Sequence, residues 1–291
     1  MKKILFAAAA LTALVGAHAE GHYVPGVEGM QAASVPPPGL YYLGYMANYN
    51  AEQFKAPGSS TALPGENKAT IFALANRLAW ITTTKVLGAD YGMEAIVPVQ
   101  STSLTFHPGP ADTQSGFGDV YLGPVILSWH GASWDAVTAA GFWLKSADSS
   151  SPASAGKGFA STMLTAGGTY YFDANKTLSG SALLRYEIND SKSNGIKPGD
   201  QVSVEWGVGK LLGNVQVGLV GYDQMQVSND SGAGASSSKS ERHAIGAEVA
   251  LPLMSSGVIL KAAAYQEYKA QAGTNPEPMG NLLRFTFVKF L

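Results

Sequence analysis

Apolar and polar residues alternate with a period of two along most of the chain after residue 38. In the clearest stretch, from Leu178 to Asn189, most even positions are apolar or aromatic, whereas the odd positions include Arg185 and Glu187. Residues 201–210 repeat the alternation, with Val, Val, Trp and Val at every second position. Because successive side chains of a β-strand point to opposite faces, this pattern predicts strands with one apolar and one polar face.

The pattern predicts twelve strands, at residues 38–51, 68–82, 87–99, 116–129, 132–145, 159–172, 177–189, 200–211, 214–227, 242–251, 257–269 and 281–291. Each has roughly the 9–11 residues, or slightly more, that a tilted strand needs to cross a bilayer. Long polar links cover residues 52–67, 100–115, 146–158, 190–199, 228–241 and 270–280. Short links cover residues 83–86, 130–131, 173–176, 212–213 and 252–256. Short periplasmic turns that alternate with longer extracellular loops are typical of transmembrane barrels. We therefore predict an all-β fold, a closed transmembrane antiparallel β-barrel of about twelve strands over residues 38–291.

The first residues have the composition of a secretory signal peptide. Lys2 and Lys3 are positively charged, residues 4–16 are apolar, and residues 17–19 read Ala-His-Ala, which fits a small-residue cleavage site. The apolar stretch is shorter than the roughly 20 residues that a membrane-spanning helix needs. We therefore expect residues 1–19 to be cleaved during export, and the rest of the chain to reach the outer membrane of a Gram-negative cell.

The composition narrows the class of protein further. Charged residues make up 14% of the chain, against about 25% in ordinary soluble domains. No apolar run after the first residues is as long as the roughly 18 residues of a helical span. The formal net charge of −2 is too small and too mixed to predict a nucleic-acid partner. The absence of cysteine excludes disulfides and thiolate metal sites.

Charged residues occur at the alternate positions that would face the barrel interior. The predicted lumen-lining charges are Arg77, Asp90, Glu94, Arg185, Glu187, Glu205, Glu248, Lys261, Glu267 and Arg284. We expect four pairs of opposite charge near register: Arg77 with Glu94, Arg185 with Glu205, Glu248 with Lys261, and Glu267 with Arg284. These charges could form a constriction that selects solutes. We favour the alternative, in which paired charges fill the interior of a small barrel.

Residues 20–37 precede the first predicted strand and form a separate N-terminal segment. The consecutive prolines at residues 36–38 make its end extended and stiff. The segment is either a periplasmic tail or a plug inside the lumen, and its apolar residues favour the plug. The side chains expected against the barrel wall are those of Tyr23, Val24, Pro25 and Met30.

Aromatic residues also carry information about the membrane. Those near predicted strand ends or on outward faces are Tyr41, Tyr45, Tyr49, Trp80, Trp129, Trp134, Trp206, Phe285 and Phe287. Aromatic belts of this kind mark the two membrane interfaces, although some of these residues could instead serve ordinary sheet packing. The chain ends in an aromatic-rich strand, residues 283–291, of the type that barrel-insertion machinery reads. This machinery and outer-membrane lipid are therefore the predicted macromolecular partners.

Enzymatic chemistry is poorly represented in the sequence. It contains no Gly-x-Ser-x-Gly nucleophile elbow and no His-x-Ser pair. The four histidines after the predicted signal peptide are scattered, without the His-x-x-x-His spacing of a metal site. We therefore predict no catalytic residues, no metal site and no cofactor.

Several longer stretches are similar to one known family. Residues 22–29 read HYVPGVEG, residues 35–41 read VPPPGLY, residues 87–91 read LGADY and residues 116–124 read GFGDVYLGP. They resemble the outer-membrane proteins called "MetA-pathway of phenol degradation", and the resemblance covers nearly the whole chain after residue 19. It implies a channel for aromatic and other hydrophobic compounds. The family's Pro-Thr-Gly near the end of the fifth strand is absent, since residues 144–148 read LKSAD.

We therefore expect a channel for the passive uptake of small hydrophobic or aromatic compounds. A structural barrel, or one whose loops bind a partner at the cell surface, is the alternative. A membrane-embedded hydrolase is the weakest hypothesis because the sequence contains no nucleophile pair. A continuous apolar path through the lumen would favour transport, whereas a lumen filled by ion pairs would favour a structural role.

Overall fold

The computed structural model describes residues 21–253 and 256–291. Within them the chain forms thirteen β-strands: β1 (Gly39–Lys55), β2 (Lys68–Val86), β3 (Ala89–Thr105), β4 (Ala111–Phe117), β5 (Tyr121–His130), β6 (Trp134–Trp143), β7 (Ser161–Tyr171), β8 (Leu178–Asn189), β9 (Gln201–Leu212), β10 (Val215–Gln226), β11 (Glu241–Leu253), β12 (Val258–Gln271) and β13 (Glu277–Phe290). A short 3-10 turn lies at Gly29–Gln31. No helix in this part of the chain is long and apolar enough to cross a membrane. The predicted signal peptide, residues 1–19, lies outside the described residues.

The strands close into one antiparallel barrel. The first strand, β1, pairs with the last, β13, from Tyr41 opposite Phe290 to Lys55 opposite Glu277. β4 and β5 lie end to end against different parts of β3, so together they form one interrupted strand of the barrel. The prediction of a closed barrel of twelve strands is therefore confirmed. Closure leaves no open sheet edge to face lipid.

One predicted loop is a hairpin instead. The hydropathy pattern predicts a loop over residues 100–115, but β3 continues to Thr105, which lies opposite Ala111 of β4. Hydroxyl groups link the two arms, as between Ser115 and Ser101, whose Oγ atoms are 2.9 Å apart. A polar hairpin that extends beyond the membrane needs no apolar face, so the hydropathy pattern could not reveal it.

Burial alternates along the strands in the predicted register. In β8 and β9 the odd-numbered side chains are buried, among them Arg185, Glu187 and Glu205. Leu184 and Val208 on the even-numbered face are exposed. The polar face of these strands therefore points into the barrel and the apolar face points outward, as expected for a wall that contacts lipid.

The first strand differs from the aromatic-belt prediction. Tyr41 and Tyr45 are buried on the inner face of β1, and the Tyr49 hydroxyl donates to Glu267 at 2.7 Å. The prediction is therefore wrong for these three tyrosines, whereas Trp80 is exposed on the outer surface as expected. Both faces of β1 carry apolar or aromatic residues, so hydropathy alone does not determine which face is inward. Buried tyrosines are stable there because their hydroxyl groups find partners.

Residues 21–37 run through the barrel from one end to the other. His22 lies beside Ser161, where β7 starts near a long loop. Ser34 lies beside Tyr171, at the opposite end of the same strand. The short turns and the start of β1 lie at this second end, which is the periplasmic side in a barrel of this type. The segment therefore descends the lumen from the extracellular end and leaves it just before β1.

Candidate functional site

The extracellular end of the N-terminal segment is held by buried polar groups around His22. The ring Nδ1 lies 2.7 Å from Glu187 Oε1, and Nε2 lies 3.4 Å from Asp119 Oδ2. The ring also stacks on Trp143, with ring centroids 5.5 Å apart. Burial opposes protonation of His22, but the nearby carboxylates of Asp119 and Glu187 outweigh it and raise the pKa of the imidazole. The imidazole therefore joins the segment to two parts of the wall.

Asp119, between β4 and β5, extends this cluster into the extracellular loop that follows β6. Its carboxylate accepts backbone N–H groups from Ser146, Ala147 and Lys157 at 2.7–2.9 Å. Burial opposes ionisation, but the His22 contact and these backbone bonds lower the pKa of Asp119. The loop and the N-terminal segment are therefore bound to the same carboxylate.

Glu28 connects the segment to arginines on two separate strands. Its Oε1 lies 2.6 Å from Arg185 Nη2 on β8 and 3.3 Å from Arg77 Nη1 on β2. Arg185 also lies over the ring of Tyr23, 4.1 Å from the centroid. Removing one member of a buried ion pair costs about 3–5 kcal/mol, because the remaining charge is left unpaired. Glu28 is therefore a strong anchor for the segment.

Glu205 on β9 binds the segment through two further groups. The Tyr23 hydroxyl donates to one carboxylate oxygen, and the Glu28 backbone N–H donates to the other at 3.0 Å. The Tyr23 carbonyl accepts from Gln224 Nε2 at 3.0 Å. Side chains of the wall thus satisfy polar backbone groups of the segment that no strand partner satisfies.

Further down the lumen, Met30 fills a hole lined by glycines. A Cβ on Gly207 would lie 2.6 Å from Met30 Cα, and a Cβ on Gly218 would lie 2.6 Å from its Sδ. Gly29 approaches the wall as closely, since a Cβ there would lie 1.8 Å from Glu248 Oε2. Its φ of +78° also favours glycine. The wall and the segment are therefore complementary in shape at this level.

Near the periplasmic end, hydrogen bonds hold the segment against β6, β7 and β8. The Ala33 N–H donates to Ser181 Oγ at 3.0 Å. The Ser34 hydroxyl donates to Asp135 Oδ2 at 3.0 Å, and the same oxygen accepts from the Tyr171 hydroxyl at 2.6 Å. The segment is thus anchored along its full described length.

The predicted charge pairs are only partly present. Arg77 and Glu94 do pair, with Nε 2.5 Å from Oε2. The pairing of Arg185 with Glu205 is wrong, because Arg185 binds Glu28 instead. The prediction considered strand neighbours alone, whereas the segment introduces a carboxylate of its own into the lumen.

Two other predicted pairs are also wrong. Glu248 binds Arg284 rather than Lys261, although Lys261 also lines the lumen. Glu267 lies 3.7 Å from Arg242 rather than beside Arg284. Arg284 is occupied by Glu248 and by two carbonyl groups of the segment. The segment therefore contacts both members of the Glu248–Arg284 pair, whereas Glu267 and Arg242 meet through the wall alone.

Two remaining predicted positions have different surroundings from their neighbours. Asp90 lies near the periplasmic turn between β2 and β3, where Lys85 Nζ is 2.5 Å from its Oδ1. Val24 does not pack against the wall as expected, since 51% of its surface is exposed. Tyr23 and Pro25 on either side are buried.

A cavity of about 500 Å³ lies beside the segment in the periplasmic half of the lumen. Its aliphatic wall residues include Leu43, Ile81, Ile126, Val137, Leu183 and Val288. The segment contributes Val35, Pro36 and Pro37. Charged groups at mid-strand, including Arg77, Glu94 and Arg185, form its inner end. Small-molecule sites commonly have volumes of about 300–1,000 Å³, so this cavity is large enough for a small organic solute.

Sequence reasoning missed several of the charges that shape the lumen. Arg242 Nε lies 2.9 Å from Glu277 Oε1, and both groups are buried. Arg242 lies on the same face of β11 as Glu248, so the alternation of side chains could have identified it as a lumen-facing charge. Glu277 was missed because β13 starts earlier than the hydropathy pattern indicates. Glu28 was missed because its segment has no periodicity. Within residues 21–253 and 256–291, no cluster of His, Asp and Glu is arranged to hold a metal ion.

Structural comparison identifies barrels with the same fold. The chain is similar to the COG4313 outer membrane channel from Pseudomonas putida F1, with a TM-score of 0.76 and 11% identity, over 92% of this chain and 100% of that one. It is also similar to the β domain of the Bordetella autotransporter Brka, with a TM-score of 0.52 and 12% identity, over 88% and 100% of the two chains. A third similar structure is the transport unit of the autotransporter AIDA-I from Escherichia coli. Its TM-score is 0.52 and its sequence identity 11%, over 88% of this chain and 91% of that one. At these identities the likeness shows the fold.

Sequence comparison adds the family. No curated protein matches the chain. One family model matches residues 51–274, which extend from within β1 to the link between β12 and β13. The first structure named above is an outer membrane channel, and the other two are parts of autotransporters. The chain is therefore an outer-membrane β-barrel and belongs to the family described as "Putative MetA-pathway of phenol degradation".

Proposed function

We propose that this barrel is a channel for the passive uptake of small hydrophobic or aromatic compounds. The cavity of about 500 Å³ carries the proposal, because its wall is largely aliphatic although many other inward positions are polar or charged. Apolar surface gains about 25 cal/mol per Å² when it leaves water for such a wall. Diffusion down a concentration gradient needs no cofactor. In this proposal residues 1–19 direct export and the final strand is read by the insertion machinery.

The N-terminal segment, residues 20–37, acts as the constriction in this proposal. The extracellular half of the lumen supports this role, since Tyr23 packs there with Tyr121, Trp143 and Met163 in one buried cluster. A solute that passes between this region and the cavity requires the segment, or the side chains around it, to move. Several charges of the lumen, such as Glu28 and Arg185, hold the segment in place, and aliphatic side chains supply much of the remaining cavity wall.

Deletion of residues 20–35 tests the role of the segment. Single-channel conductance in planar bilayers should rise, and selectivity between apolar and polar solutes of equal size should decrease. Heat-modifiable migration on SDS gels checks that the shortened barrel is folded. Unchanged conductance of a folded barrel would show that the segment is not the constriction and that the gate lies in the loops.

Uptake of a radiolabelled aromatic hydrocarbon by cells that express the full chain tests the channel function itself. Ala139→Phe adds a large side chain inside the cavity and should reduce uptake to the level of cells without the barrel. The matched control is Ala182→Phe, since Ala182 is exposed on the outer face of β8, and it should leave uptake unchanged. Equal uptake with and without the barrel would contradict transport.

A structural or partner-binding barrel is the competing proposal. It is favoured by the dense ion pairs and hydrogen bonds of the lumen, such as those of Glu28 and Glu205. On this proposal neither the deletion of residues 20–35 nor Ala139→Phe should alter uptake. The two experiments therefore separate the functions.

A further inference from the structure

Lys261 is a lysine of the cavity that the Glu248 and Glu28 carboxylates attract through space without bonding to it directly. It lies on the inner face of β12 and lines the cavity, and among the described residues it forms no ion pair. The carboxylates near it are already engaged. Glu248 binds Arg284 and accepts the Met30 N–H at 3.3 Å, and Glu28 is bound by two arginines.

Lys261 stands in a row of residues that crosses five adjacent strands. In register, Gln216 lies opposite Ala250, Ala250 opposite Lys261, Lys261 opposite Thr286, and Thr286 opposite Tyr45. All five residues line the cavity. Neighbouring strands are about 4.7–4.9 Å apart. The Lys261 ammonium and the Thr286 hydroxyl can therefore reach one bound group at the same time.

Thr286 supplies a second, independent observation. It is 4% exposed, and its hydroxyl oxygen has no hydrogen-bond partner within the described part of the chain. Buried hydroxyl groups nearly always have a partner. The neighbouring Tyr45 hydroxyl accepts from Arg77 Nη1 at 3.1 Å and keeps its own proton for donation. Within the described residues, the Lys261 ammonium and the Thr286 and Tyr45 hydroxyl groups, all on residues that line the cavity, therefore have no acceptor.

We propose that the cavity binds amphipathic monocarboxylates, with the carboxylate on Lys261 and Thr286 and an aromatic or short alkyl body against the aliphatic wall. A carboxylate has two acceptor oxygens, so it accepts from the ammonium and the hydroxyl together. Cationic side chains outnumber carboxylates in the cavity lining, which also favours an anionic group. The inference rests on the proposed channel function and specifies the class of its substrate.

The test compares para-trifluoromethylbenzoate with its neutral isostere para-trifluoromethylbenzamide. Each is titrated by fluorine NMR against the full chain in lipid nanodiscs, and empty nanodiscs correct for partition into lipid. The acid should bind more tightly than the amide. Lys261→Met should weaken binding of the acid by about 10-fold or more, the usual scale for a hydrogen-bonded charge, and should leave the amide unchanged.

Three further variants make the assignment specific. Lys261→Arg keeps the charge and should keep the preference for the acid, provided that the barrel is folded. Thr286→Val should weaken binding of the acid by about 3-fold to 10-fold, because it removes one hydrogen-bond donor. Lys210→Met removes a lysine that is exposed on the outer side of β9 and should change neither affinity.

Each contrary result has a distinct meaning. If the acid and the amide bind with equal affinity and Lys261→Met alters neither, the carboxylate site is overturned. The proposed apolar path would be unaffected by that result. Acid-selective binding that survives Lys261→Met would overturn the assignment to Lys261. No saturable binding of either compound, together with no uptake of the aromatic hydrocarbon, would overturn the channel function and this inference with it.

Discussion

Arg185 on β8 and Glu28 in the N-terminal segment form an ion pair of 2.6 Å, although 157 positions separate them in the chain. Arg185 is buried in the lumen, so water screens the pair only weakly. Such a pair favours one position of the segment inside the barrel, because a shift along the lumen would leave both charges unpaired. The predictions below test this docking and the orientation of the wall.

Glu28→Gln should loosen the segment. Arg185 keeps its contact with Tyr23 but loses its counter-ion, while Arg77 keeps Glu94. We expect a loss of about 3–5 kcal/mol in docking free energy, seen as faster cleavage of the segment by added protease. Glu52→Gln is the control, since Glu52 is exposed on β1. Equal protection of the two variants would show that the ion pair does not hold the segment.

Docking of the extracellular end should weaken as the pH rises. The pKa of His22 is raised above its ordinary value of 6.5, so its stabilising contribution is complete below 6.5 and is lost as the pH passes through the raised value. Burial lowers the pKa of Lys157 to about 8. Cleavage is therefore measured below that pH, so that titration of Lys157 does not contribute. Protease cleavage near residue 22 should therefore accelerate as the pH rises above 6.5.

The control for this pH dependence is a pair of histidine variants. His22→Gln should remove the dependence, whereas His107→Gln, in an exposed link, should preserve it. A pH dependence that persists in the first variant would assign it to another group.

Gly29→Ala should displace the segment locally. The new Cβ would overlap Glu248, and the positive φ would be strained. We expect a cost of about 1–3 kcal/mol, a lower unfolding temperature and a higher single-channel conductance. Gly116→Ala is the matched control, since no atom lies within 4 Å of a Cβ there. Conductance that does not differ between the two variants would contradict close contact between the segment and the wall.

An arginine on the outer wall should cost more at mid-height than at the rim. Leu184 lies in the middle of β8, and Leu212 lies at the end of β9, with both side chains exposed. Leu184→Arg should destabilise the barrel by about 2–4 kcal/mol and Leu212→Arg by about 0–1 kcal/mol. Urea unfolding in lipid vesicles measures the difference. Similar costs at both positions would mean that the even-numbered face of β8 does not contact lipid.

The sequence by itself determined the architecture of the wall. Side-chain alternation is a local property of an extended chain, and link lengths are read directly along it. Together they predicted the twelve strands and the inner and outer faces of β8 and β9. The alternation was ambiguous for β1, because tyrosines lie on both of its faces, and it could not detect the polar hairpin of β3 and β4.

Only the tertiary structure decided what the lumen contains. The partner of Arg185 and the glycine-lined hole for Met30 both depend on the path of residues 21–37. That segment has no periodicity and contacts residues far away in the chain. Ion pairs form between whichever charges the closed barrel brings together, so the local pattern predicted the pair of the neighbouring strands β2 and β3, Arg77 with Glu94, but not the pairs that involve the segment.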